Sequence, residues 1–152
     1  MHIAHCTVAD IEAAPNIGKL LAEYTAEAGI PELGAPAAQF DTYRLLESTG
    51  ALRVIGAFRD EQLAGFVTVL LSTLPHFGKR AAVVESLFVS PAARDLGYGV
   101  GGALMREAES YAREQGAEAI LYSTPAGGSL EKALMRREPY RATNTIFFRS
   151  LV

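Results

Sequence analysis

Two spacings of apolar residues divide this chain. Near the start, Ile11, Ile17, Leu20, Leu21 and Tyr24 trace part of one helical face, with Asp10 as the expected N-cap and Gly29 and Pro31 as the stop. This predicts a strand over 2–8, a helix over 11–28 and a second helix over 37–48, ended by Gly50. From Leu52 the apolar residues crowd into strand-length runs. Strands are expected at Leu52–Arg59 and Leu63–Leu71, joined by the polar turn Asp60-Glu61-Gln62, and at Ala81–Val89 after the loop 75–79. A helical stripe at positions 100, 103, 104, 108, 111 and 112 then predicts a helix over 100–115, capped by Gly116. A strand at Ala119–Thr124, a short helix over 129–137 and a last strand at Thr143–Leu151 complete the pattern. The implied architecture is a mixed α/β domain, residues 1–152, with one mostly antiparallel sheet and helices on both of its faces.

Composition narrows the partners. With 49% apolar and 20% charged residues the chain reads as an ordinary globular protein, and 152 residues suffice for a sizeable core. A net charge of −3 and the absence of any Lys/Arg cluster argue against nucleic acid as a partner. The lone Cys6 excludes an internal disulfide. The start MHIAHCTVAD lacks signal-peptide character, and the most apolar stretch, from Leu63, is too short and interrupted to span a bilayer. The expected setting is therefore cytoplasmic, with no membrane partner.

The densest chemistry lies in "ARDLGYGVGGALMREAE", where Gly97, Gly99, Gly101 and Gly102 fall within six positions. Read from Gly97 the letters satisfy GxGxxG; read from Arg94 they satisfy RxxGxG. A dinucleotide fingerprint needs its first glycine directly after the strand and an acidic residue at the end of the next one. Here a long loop separates Val89 from Gly97, and the following strand AILYSTP ends without a carboxylate. The second reading suits its context: glycines at a helix N-terminus turn free amides and the helix dipole toward one point, an anion site fit for a pyrophosphate.

"VVESLFVSPAARDLGYGVGGALMREAESYAREQG" resembles the central motif of the GNAT superfamily of acetyl-CoA-dependent N-acetyltransferases. Leu87, Val89, Pro91, Arg94, Gly97 and Gly99 match its L-x-V-x-P-x-x-R-x-x-G-x-G pattern. The resemblance implies that the loop Arg94, Asp95, Leu96, Gly97, Tyr98, Gly99, Val100 and Gly101 holds the coenzyme A pyrophosphate. It further implies that Leu87, Phe88 and Val89 pair with the pantetheine arm as an added strand would, and that this strand splays from Ala119–Thr124. Acetyl-CoA is the implied co-substrate, a small-molecule or peptide amine the implied acceptor, and a homodimer a common assembly of such relatives. In that family the first helices shape the acceptor site, which here points to Tyr24, Tyr43 and the 29–36 segment, with His76 as a further candidate in its loop.

Acetyl transfer to an amine requires removal of a proton, donors for an oxyanion and a proton for the departing thiolate. Glu85 is the expected base: in the apolar strand AAVVESLFVS, partial burial would raise its pKa toward neutrality. The Leu87 N–H is the expected oxyanion donor. For the acid the sequence departs from the family, because Met135 stands where relatives carry tyrosine in Y-x-x-x-G-F and Gly128 or Ser129 where they carry asparagine. Tyr122 and Tyr140 are candidate substitutes. Three readings follow: a GNAT-type acyltransferase, an acyl-CoA-binding module with little transfer activity, and an unrelated nucleotide-binding α/β domain.

Overall fold

The computed structural model describes residues 1–33, 39–94 and 99–152. Five strands form one sheet in the order β1 (His2–Cys6), β2 (Leu52–Arg59), β3 (Gln62–Leu74), β4 (Lys79–Val89) and β5 (Ala119–Tyr122). The first four pair antiparallel and β5 joins β4 in parallel. Only the last pairing requires a crossover. That crossover consists of α4 (Pro91–Arg94) and α5 (Val100–Glu114), and α5 lies across one face of the sheet. Its residues Val100, Leu104, Ala108, Tyr111 and Ala112 pack against Ile55, Val67, Val69 and Val84. The expected stripe is thus what docks the helix, and Gly116 at φ +75° ends it.

The other face carries α1 (Val8–Glu12), α2 (Ile17–Ala28) and α3 (Phe40–Ser48), over Leu52, Val54, Phe66 and Phe88. The single helix expected over 11–28 is two helices. Thr7, not Asp10, is the first N-cap: its hydroxyl accepts from the Asp10 N–H while the Asp10 carboxylate accepts from the Thr7 N–H, a reciprocal capping box. Ala13 closes α1, and Asn16 starts α2 after Pro15, whose missing N–H and locked φ suit a break rather than a helix interior. The Asn16 side-chain amide donates to the Leu63 carbonyl and accepts the Leu63 N–H, and so ties this junction to β3.

The long β3–β4 hairpin extends past the predicted ends through the turn 75–78. The short helix predicted over 129–137 forms as α6 (Ser129–Met135). The last predicted strand does not form: residues 141–152 pair with no strand, and Ile146, Phe147 and Leu151 are 84%, 90% and 90% exposed. Alternation of apolar residues permits a strand, but only a partner edge stabilises one.

Candidate functional site

The site begins with a break in register. Thr68 pairs with Ser86 and Val69 pairs with Val84, so Glu85 is the extra residue of a β-bulge on β4. Pairing between β4 and β5 spans only Ala81–Val84 and stops at this bulge. Beyond it, residues 86–89 pair with β3 alone among the described residues, so the two parallel strands part. No sequence pattern marks a bulge, and here it has two effects. It ends the strand pairing on the β5 side of Leu87–Val89 among the described residues, and it lets the consecutive side chains of Glu85 and Ser86 line one cavity instead of opposite faces.

Glu85 is solvent-exposed, so the expected partial burial is absent; the bulge turns the carboxylate out of the apolar strand. It is held by hydroxyls instead. Tyr43 donates to it at 3.1 Å and Thr68 at 2.8 Å. The Thr68 oxygen lies 2.6 Å from the Ser86 hydroxyl and accepts the Ser86 N–H at 3.1 Å. Burial, then the nearby Glu85 charge, push the Tyr43 hydroxyl well above its ordinary value, and the same two causes raise Tyr24. Both phenols therefore act as neutral donors. Tyr24 and Tyr43 were expected near the acceptor; Thr68 and Ser86 were missed, because a Thr–Ser pair inside apolar strands carries no signal until register brings it beside a carboxylate. The cavity holds about 460 Å³ between α1–α3 and the sheet.

On the motif itself, Asp95, Leu96, Gly97 and Tyr98 lie outside the described residues. Gly99 caps α5 at φ +61°, a conformation that strains any side chain. Gly101 and Gly102 occupy the first turn. A Cβ on Gly101 would meet only Val89 at 3.7 Å, and one on Gly102 only the guanidinium nitrogens of Arg106 and Arg137 at 3.6 and 3.8 Å. Among the described residues no atom demands glycine at either position, yet glycine in a helix costs about 0.5–1 kcal/mol relative to alanine. No acidic residue stands in this turn. Open amides, absent side chains and two flanking guanidinium groups together fit a phosphate-bearing ligand. Arg106 and Arg137 went unrecognised in the sequence, since only folding brings α5 and the end of α6 together.

Arg94 is engaged elsewhere. Its guanidinium forms a two-pronged pair with Glu27 on α2, at 2.9 and 2.8 Å, over the ring of Phe88. The side chains of Phe88 and Val89 are buried and Leu87 packs on the α5-side core, which leaves only their backbones for a ligand.

Neither tyrosine candidate for the acid faces Glu85. Tyr122 donates to Glu109 of α5 at 3.2 Å, and Tyr140 donates to the same carboxylate. That puts both on the α5 side of the sheet, opposite the Glu85 cavity, and burial followed by the Glu109 charge raises Tyr122 far above a useful acid. Met135 is 66% exposed. His76 is exposed in the turn after β3, stacked edge-on against Phe77, and does not line the cavity. Cys6 is a buried free thiol. Among the described residues no His/Cys/Asp/Glu group could hold a metal, and no helix is long and apolar enough to cross a membrane.

Comparison with known proteins bears on the whole arrangement. No curated protein sequence matches the chain. Solved structures do. A ribosomal-protein-alanine N-acetyltransferase from Brucella melitensis biovar Abortus superposes with TM-score 0.70 at 22% identity, over 99% of this chain and 98% of the other. An aminoglycoside acetyltransferase from an uncultured soil metagenomic sample, in complex with sisomicin, gives 0.72 at 16% identity, over 99% and 96%. A transcriptional regulator from Bacillus halodurans gives 0.67 at 20% identity, over 96% and 99%. At such identities these likenesses establish the fold. The sequence profile of the Acetyltransferase (GNAT) family matches residues 17–129, most of the chain, and the protein belongs to that family of acetyltransferases.

Proposed function

We infer that the protein transfers an acetyl group from acetyl-CoA to a primary amine, with Glu85 as general base. The observation that carries this reading is the bulge: it sets a solvent-reachable carboxylate at the point where β4 and β5 part. Acetyl-CoA supplies the activated acetyl group. The amides at the start of α5, with Arg106 and Arg137, hold its pyrophosphate, and the free backbone edge of Leu87–Val89 receives its amide-bearing arm. Glu85, fixed by Tyr43 and Thr68, takes the proton from the incoming ammonium, and the Leu87 N–H donates to the developing oxyanion. Met135 stands where relatives carry the tyrosine, and Tyr122 and Tyr140 bind Glu109 on the other side of the sheet, so water is the proton source for the thiolate.

The test is turnover by thiol release alongside acetyl-CoA binding. Glu85→Gln should lower kcat about 10²–10⁴-fold while binding acetyl-CoA as before. Full turnover in that variant would remove Glu85 as base. Binding without turnover of any amine in the unaltered protein would favour the second reading, an acyl-CoA-binding module, for which the exposed Met135 speaks.

The exposed tail and the free edge of β5 favour a homodimer in which each copy lends its 143–151 segment to the other's sheet. Sedimentation of the full chain and of a chain ending at Ala142 should give dimer and monomer respectively.

A further inference from the structure

The walls of the acceptor cavity differ from what a polyamine or an aminoglycoside would require. Glu85 is the one charged residue among the described residues that line the cavity. The hydroxyls of Tyr24, Tyr43, Thr68 and Ser86 cluster at the Glu85 end, and the remainder is largely aliphatic and aromatic, from Leu52, Val54 and Phe66 below to Leu21, Phe40 and Leu46 above. One ammonium finds a partner here. A second one, carried into the apolar part, would lose its water with no charged or hydrogen-bonding partner there to replace it. The volume of about 460 Å³ lies within the range of small-molecule sites and exceeds what a bare ammonium head needs.

We propose that the acceptor is a small primary monoamine with an aromatic or branched aliphatic body, its amine at Glu85 and its body against α2, α3 and the sheet. The proposal rests on the acceptor reaching Glu85 through this cavity, and it separates the chain from its sisomicin-bound structural neighbour. Specificity then comes from apolar area on one side and from the absence of a second carboxylate on the other.

A homologous series tests it. With acetyl-CoA saturating, kcat/KM should rise about fourfold per methylene from propylamine to hexylamine, and phenethylamine should exceed spermidine and an aminoglycoside by at least tenfold. Leu33→Glu, an exposed change at the rim, should improve the diamine cadaverine relative to hexylamine about two- to fivefold. A flat series, or preference for the polycations, overturns the proposal while leaving acetyl transfer intact. Binding of the same amines, followed by ligand-observed NMR, gives a second readout that needs no turnover. If no amine is acetylated, the proposed function fails, yet affinity rising with chain length would still support this cavity assignment, and length-independent affinity would overturn it.

Discussion

Replacing Thr68 with valine deletes one hydroxyl from the centre of the Tyr43–Glu85–Thr68–Ser86 array and keeps the shape of the side chain. Thr68 is only 5% exposed, and its oxygen accepts from the Ser86 N–H and the Ser86 hydroxyl while its own hydrogen goes to Glu85. Each neutral hydrogen bond contributes about 1 kcal/mol net, and a buried partner left short of one costs somewhat more. The bond to Glu85 counts for little, because that carboxylate faces water. The sum is a loss of about 2 kcal/mol, equivalent to a fall of roughly 4–8 °C in Tm for a domain of this size. Strand propensity does not offset it, since both residues are β-branched. Thermal and urea unfolding should show this loss, and Thr73→Val, an exposed hydroxyl on the same strand, should stay within about 0.5 kcal/mol of the parent. Turnover should fall as well, by less than for Glu85→Gln, because Tyr43 still holds the carboxylate. A Thr68→Val protein as stable and as active as the parent would refute both the structural weight given to the array and its part in orienting Glu85.

Three further outcomes are expected. Gly101→Ala should raise stability by about 0.5–1 kcal/mol, because the added Cβ meets only Val89 at ordinary contact, and should weaken acetyl-CoA binding measured by calorimetry; unchanged affinity would show that no ligand approaches this turn. Tyr122→Phe should leave kcat within about threefold of the parent across neutral pH, since the hydroxyl serves Glu109 behind the sheet; a loss of 10²-fold or more would make it the acid after all. The Thr7 N–H and then its hydroxyl hold the Asp10 carboxyl below its ordinary value. A depressed folded-state value adds stability above the unfolded one and loses it as pH falls through the folded one, so part of the acid destabilisation below about pH 4 should vanish in Asp10→Asn, read from urea midpoints against pH.

Local patterns were enough for much of this protein. The stripe from Val100 to Ala112 specified a helix because one face of it had to be buried, and the glycine run marked its start, where Gly99 takes the left-handed cap conformation. Glu85 stood out because a carboxylate is conspicuous among apolar strand neighbours. Start signals were less secure: Thr7 and Asp10 are both good caps, and only the reciprocal bonding between them decides which residue begins α1. The tail from Thr143 carried a strand pattern without a strand, because pairing depends on an edge the pattern cannot supply. What tertiary structure alone decided is the chemistry's surroundings. The bulge is a matter of register between β3 and β4; it exposes Glu85, joins it to Thr68, Ser86 and Tyr43, and ends the pairing with β5. Those residues come from three elements separated along the chain, and hydrogen bonds between them exist only once the sheet and α3 are in place. The same holds for Arg106 and Arg137 at Gly102, and for Tyr122, whose hydroxyl the fold gives to Glu109 rather than to the cleft.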